Sequence, residues 1–295
     1  MSASRQVLSG GQDDAELEDE YKHGRSGFTP MNTSRPRALV TGASGGIGYE
    51  LAKVLAREGN DLVLVARSTE QLEKIAADLR EDFGVDVRVL PADLSEPGAP
   101  DRIQERLVAD GLGVDILVNN AGFGTLGPFA SRDTASQVDM VQVNVAALTH
   151  LSHLFIGPMV ERGRGRIMNV ASTAAFQPGP GMAVYFSTKA YVLSFSEALA
   201  EELRGSGVTV TTLCPGPTVT GFQKRAGMER SALGGRMVTA SAASVARAGY
   251  RGMMRGRRVV IPGWTNRVGT VLPRLFPRAL ATRIVARLTA ARERS

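Results

Sequence analysis

The chain has 295 residues, 43% apolar and 22% charged, which describes one large or two small globular units and excludes a wholly disordered chain. Its single cysteine, Cys214, excludes a disulfide framework and a Cys-rich metal site, and points to a reducing, cytoplasmic setting. No run of 18 or more apolar residues is present to span a bilayer.

The net charge of +6 is unevenly spread. Residues 1–30 carry 3 basic and 6 acidic side chains, and residues 31–221 carry 16 and 21. From Phe222 to Ser295 there are 16 basic residues against Glu229 and Glu293 alone. No aromatic stacking ladder accompanies that basic quarter, so a solvated face or an anionic partner is expected there rather than nucleic acid.

Residues 1–30 read as a disordered acidic tail, with the cluster Asp13–Glu20 and no sustained apolar period. Met31 then reads as an alternative translation start. Apolar strands and helical periods alternate from there on. Strands are expected at Arg37–Thr41, Asp61–Ala66, Asp86–Leu90, Val114–Asn119, Gly165–Val170, Val208–Cys214 and Arg258–Ile261. Helices are expected at Gly48–Glu58, Thr69–Phe83, Pro100–Ala109, Ala135–Glu161 and Tyr185–Gly205. The strands are nearly continuous in Val, Leu and Ile, as when helices cover both sheet faces. The architecture expected is a single Rossmann-type α/β domain over residues 31–263, doubly wound on a seven-stranded parallel sheet. It includes a substrate loop at 220–244 and is followed by a basic extension at 264–295.

Thr41-Gly42-Ala43-Ser44-Gly45-Gly46-Ile47-Gly48 joins the first strand to the first helix. Glycines in this spacing let the backbone turn and approach a pyrophosphate, with the N–H groups of the helix start behind them. Gly42, Ser44, Gly46, Ile47 and Gly48 are therefore candidate cofactor residues. The second strand ends at Arg67-Ser68, where dinucleotide-binding folds read the adenosine ribose. A carboxylate there would repel a 2′-phosphate. A guanidinium beside a hydroxyl suits one, so NADP(H) is expected over NAD(H).

Further along stand Asp93-Leu94, Asn119-Asn120-Ala121-Gly122, Asn144, Ser172, Tyr185-Phe186-Ser187-Thr188-Lys189 and Pro215-Gly216-Pro217-Thr218. With the glycine turn, and in this order, they make the chain resemble the classical short-chain dehydrogenase/reductase family from about Arg35 to Ile261. The resemblance implies that Asp93, Leu94, Asn120, Ala121, Gly122, Pro215, Gly216 and Thr218 hold the cofactor. It implies a catalytic set of Asn144, Ser172, Tyr185 and Lys189, with Lys189 also on the nicotinamide ribose and Asn144 anchoring water behind it. Family members often carry a basic residue where this chain has Gly45, so a 2′-phosphate would rest on Arg67, Ser68 and Ser44. The family implies no metal, and homodimers or homotetramers through the helices after the fourth and fifth strands. The apolar face Val192, Leu193, Phe195, Leu199 and Leu203 fits that interface.

The residues carry a chemical logic of their own. Tyr185 and Lys189, four apart on a helix, share a face. A free phenol has a pKa of about 10, and a nearby ammonium is expected to lower it toward the useful range. Ser172 would hold the substrate oxygen while Tyr185 protonates it. The activity expected is NADP(H)-dependent interconversion of a carbonyl and a secondary alcohol. One alternative is a membrane-surface reductase of lipid or ketoacyl substrates; the other, from another class, is an NADP sensor without catalysis, which has no use for a proton donor.

His150 and His153 read as packing or interface residues, Tyr191 as core and Cys214 as a buried thiol. Trp264 is expected on the sheet edge or at the substrate entrance. Phe123, Phe176 and Met182, with Phe222, Met228, Leu233 and Met237 of the loop, suggest an apolar pocket for an apolar or acyl-type substrate. In the extension, Val268, Val271, Leu272, Leu275, Leu280, Ile284, Val285 and Leu288 recur at helical spacing among arginines. Helices packed on the domain or on an oligomer mate, an anionic lipid surface, and an acyl carrier are all compatible with that pattern.

Overall fold

The computed structural model of the chain describes residues 35–222, 226, 240–271 and 277–290. The expected tail at 1–30 lies outside them, as do Met228, Leu233 and Met237 of the substrate loop. Strands β1 (Arg37–Thr41), β2 (Asp61–Ala66), β3 (Val87–Pro91), β4 (Ile116–Asn119), β5 (Gly165–Val170), β6 (Val208–Leu213) and β7 (Val259–Val260) form one sheet. Its order is β3-β2-β1-β4-β5-β6-β7 and every pairing is parallel. The chain order reverses between β1 and β4, so a crevice opens at their carboxyl ends.

Helices α1 (Gly46–Arg57), α2 (Thr69–Phe83) and α7 (Ala242–Met254) cover one face. There Leu51, Leu55, Leu72 and Leu79 bury against Leu62, Leu64 and Val118. Helices α3 (Ala99–Ala109), α5 (Leu148–Glu161) and α6 (Ala183–Glu202) cover the other, with Ile103, Leu107, Leu151 and Met159 on Leu39, Val63 and Leu117. Each such leucine contributes roughly 1.5–3 kcal/mol on burial. Side-chain caps start the helices where the sequence offers them: Ser68 accepts from Gln71 N (3.4 Å), Asp133 from Ser136 N (2.8 Å) and Ser241 from Ser244 N (3.2 Å).

Several expectations are corrected. The helix expected over Ala135–Glu161 is α4 (Thr134–Val141), a wider π-type segment at Gln142–Ala147, and then α5. Together these 28 residues are long and apolar enough to cross a membrane, yet Leu151, Phe155 and Met159 pack on the sheet. Helix α7 has no counterpart among the expected elements. Val192 and Leu193 are buried within the chain's own core, so they are not a free interface. The large apolar side chains left exposed on α4 and α6 are Val138, Val141 and Tyr191. Tyr191 is thus no core residue: it stacks on Phe195 and hydrogen-bonds Thr149 (3.0 Å). His150 pairs across helices with Asp101 (3.0 Å).

Two further helices, α8 (Trp264–Val271) and α9 (Arg278–Ala290), return to the fold. Trp264 does not pack on the sheet edge; it is 76% exposed.

Candidate active site

The crevice is a cleft of about 640 Å³. All the candidate cofactor and catalytic residues named from sequence line it, except Gly48 and Asn144. Its floor is set by Thr41 at the tip of β1. Thr41 Oγ1 accepts from the N–H groups of Asn120 and Ala121 (3.0 Å each) and donates to Val118 O (3.3 Å). Asn120 Nδ2 donates back to Thr41 O (2.9 Å) and Gly42 O (3.2 Å). The loop after β4 is thereby tied to the glycine turn.

Gly48 serves that junction rather than the cleft. A Cβ there would lie 2.3 Å from Gly42 O and 2.4 Å from Asn120 Nδ2. Gly42 (φ 65°) and Gly46 (φ 57°) adopt left-handed backbone that other residues rarely take. Gly45 caps α1 without any side-chain hydrogen bond, so the first amides of the helix have no side-chain acceptor. Uncapped N–H groups at a helix start beside an open glycine cradle fit the pyrophosphate of a dinucleotide.

At the far end, Arg67 faces the cleft with its side chain 74% exposed and Nη1 3.8 Å from Asp93 Oδ2. Burial opposes the charge on Asp93. Hydrogen bonds from Ser95 N (3.0 Å) and Oγ (2.8 Å), aided by Arg67, nevertheless hold its carboxyl below the usual range. Ser68 combines its place on the cleft with capping α2.

Ser172, Tyr185 and Lys189 meet at the opposite end, after β5 and in the first turns of α6. The Tyr185 ring lies against the Gly124 backbone, where a Cβ would come within 2.9 Å of it. Its centroid is 5.3 Å from that of Phe222. This enclosure pushes the phenol up to about 12, with the Ser172 hydrogen bond acting in the other direction. The expectation of a tyrosine acidified by its lysine is thus corrected. Lys189 Nζ lies 5.9 Å from the ring centroid and donates to Val170 O (2.8 Å), and burial pulls its own pKa down to about 8. Ser172 Oγ accepts from Ala174 N (3.1 Å) and reaches Pro215 O at 3.4 Å, which joins the β5 loop to the Pro-Gly turn.

Asn144 is fully buried in the π-type segment. Its Oδ1 accepts from Phe123 N (3.1 Å), and its Nδ2 donates to Phe123 O (3.0 Å) and Thr188 Oγ1 (3.0 Å). Its amide is thus committed to the loop after β4 and to α6. Both of its amide hydrogens are spent on those bonds, which tie the loop to the helix. Gly122 fits between Asn144 and Lys189: a Cβ there would sit 2.9 Å from Asn144 Oδ1 and 3.3 Å from Lys189 Nζ.

Sequence reasoning overlooked Thr41 and Thr188, whose hydroxyls fix the cofactor loop and Asn144. Thr188 lies inside the Tyr-x-x-x-Lys stretch, a signal that was available. It also overlooked a buried ladder: Asn119 Nδ2 donates to Ser152 Oγ (3.1 Å) and Asn169 Oδ1 (3.0 Å), and Asn169 Nδ2 donates to Ser196 Oγ (2.9 Å).

Phe123, Met182, Phe186 and Phe222 supply apolar wall; Phe176 does not line the cleft. Met182, Phe186 and Ala174 are backed by Val285 of α9. Asn266 of α8 abuts the Pro-Gly turn, where a Gly216 Cβ would lie 2.3 Å from its Oδ1. Cys214 is fully buried, and its thiol is pushed up to about 12 by burial, which leaves it inert near neutral pH.

Residues 36–231 match the short chain dehydrogenase family, and the chain belongs to it. It is an oxidoreductase of the class that acts on CH–OH groups with a nicotinamide nucleotide. It is similar to nodulation protein G of Rhizobium sp. (strain N33), 38% identical over 180 residues, 61% of this chain and 72% of that one. A very-long-chain 3-oxoacyl-CoA reductase of Anas platyrhynchos is 34% identical over 63% of this chain, which spans 61% of that protein's length. Among solved structures, a short-chain dehydrogenase from Sphingobium yanoikuyae in complex with NADPH superimposes with a TM-score of 0.73. It is 34% identical over 88% of this chain and 98% of its own.

Proposed function

We propose that the protein interconverts a ketone and a secondary alcohol with NADP(H), on a substrate whose carbonyl is flanked by apolar or acyl groups. The observation that carries this reading is the convergence of Ser172, Tyr185 and Lys189 at one end of a single cleft, with Arg67 at the other. NADPH, when bound, supplies the hydride. Ser172 donates a hydrogen bond to the substrate oxygen and fixes its position. Tyr185, protonated throughout the physiological range, gives its proton to that oxygen as negative charge develops. Lys189 stands beside the resulting phenolate and stabilises it, and Asn144 holds Gly122 and α6 in register through Phe123 and Thr188.

Support for NADP(H) comes from the charge and exposure of Arg67 and from the NADPH-bound relative. Support for an apolar or acyl substrate comes from the wall of Met182, Phe186 and Phe222 and from the likeness to an acyl-CoA reductase.

The test is NADPH and NADH consumption at 340 nm over ketones, aldehydes and acyl thioesters. Tyr185→Phe should lower turnover by about 10²–10⁴-fold while leaving the Kd for NADPH nearly unchanged. Normal turnover by that variant would sink the assignment. Arg67→Ala should raise KM for NADPH by about tenfold or more and leave that for NADH within about twofold. A preference for NADH in the parent protein would overturn the cofactor reading alone.

A further inference from the structure

Two independent observations single out the end of the chain. From Arg230 to Arg292 the sequence holds 13 arginines and no Asp or Glu. The helices described in that stretch also turn large apolar side chains outward. On α8, Thr270 is buried and Asn266 abuts Gly216, while Trp264, Val268 and Val271 are 76%, 54% and 54% exposed. Those three recur at i, i+4 and i+7 and so share one face. On α9, Ala281 and Val285 are buried, and Leu280 and Ile284 face out. Arg267 belongs to the outer face of α8, and the exposed Arg283 and Arg287 to that of α9.

Each helix is therefore amphipathic in an unusual sense. Its inner face is already seated on the fold, and its outer face is apolar and cationic together. A merely solvated face has no use for a tryptophan and four aliphatic side chains in water.

The occupant must match both properties. A second copy meeting this face about a two-fold axis would set arginine against arginine. Nucleic acid would satisfy the charge and leave the aliphatic side chains unused, and no stacking ladder accompanies them. An anionic lipid surface satisfies both. Arginine stems lie along apolar surface while their heads reach phosphate, tryptophan favours the interfacial zone, and aliphatic side chains enter the acyl boundary.

We propose that the outer faces of α8 and α9 dock the protein on an anionic lipid bilayer. The inner faces of the same helices back residues that line the cleft, through Val285 behind Met182 and Phe186 and through Asn266 beside Gly216. The docking surface and the support behind the substrate wall are two sides of one pair of helices. The inference does not depend on the reaction assigned to the cleft.

Trp264 is the only tryptophan, so its emission reports the surface directly. The full chain is titrated with phosphatidylcholine vesicles with and without about 30% phosphatidylglycerol. The expected result is a blue shift with the mixed vesicles, binding to neutral vesicles at least about tenfold weaker, and reversal in about 0.5 M NaCl. The double variants Leu280→Asp/Ile284→Asp and Arg283→Glu/Arg287→Glu alter exposed positions. Each should keep the parent melting temperature and bind at least about tenfold more weakly. An unchanged spectrum with anionic vesicles overturns the proposal, as does equal binding to neutral ones. A lipid-independent shift that grows with protein concentration, with a doubled mass in light scattering, also overturns it and identifies a second copy as the occupant.

Discussion

Lys189 carries its charge where charge is unwelcome. Burial brings its pKa from 10.5 down to about 8, so the folded protein pays to keep the ammonium below that value. The penalty is complete below pH 8, where the group is charged in both folded and unfolded chains, and it fades as pH climbs to 10.5. Lys189→Met should therefore stabilise the fold at pH 7 by about 1–3 kcal/mol, offset in part by the lost bond to Val170 O. That advantage should shrink in chemical melts at pH 10, with turnover abolished throughout. A variant less stable at pH 7 would show that the bond outweighs the desolvation. This residue also marks what a sequence reveals. The four-residue spacing of Tyr185 and Lys189 was legible, and so was their shared helix. The direction of the tyrosine's shift was not, because it depends on Gly124 and Phe222, distant residues that enclose the ring.

Among the elements, the glycine turn is the most exacting. Gly48→Ala would drive a methyl group into Gly42 O and Asn120 Nδ2. We expect a loss of roughly 2–3 kcal/mol in stability and about tenfold or more in NADPH affinity, read by melting and by nucleotide titration. An alanine variant that binds NADPH normally would show that the junction yields. The turn itself was legible from its glycines, and all seven strands of the sheet from their apolar runs and the turns that bound them. Thr41 was not, because its partners Asn120 and Ala121 lie 79 and 80 residues on. Helix α7 escaped notice for a different reason. Besides Val245 and Met253 it buries Ala246, Gly249 and Gly252, and Gly252 sits so close to Val260 that a Cβ would lie 2.2 Å from its Cγ2. With three small residues among the five buried positions, only two large side chains mark the apolar period. The π-type segment holding Asn144 likewise shares its composition with the α-helices on either side.

For the whole molecule, Val138 and Val141 on α4 and Tyr191 on α6 remain exposed among the described residues. We expect these faces to pair copies of the chain, as the family resemblance suggests. Light scattering on the parent should then show a dimer or tetramer, and Val138→Asp should reduce it toward the monomer with little change in melting of the isolated fold. A parent that is monomeric at every concentration would refute this.

The proton donor, its lysine, the nucleotide cradle and the apolar wall all precede the last strand, whereas Asn266 and Val285 buttress the cleft lining from beyond it. The lining and its rear support are therefore encoded in separable stretches of gene. A chimera joined near Pro262, taking its ending from another member of the family, would re-seat the wall from behind without rebuilding the chemistry.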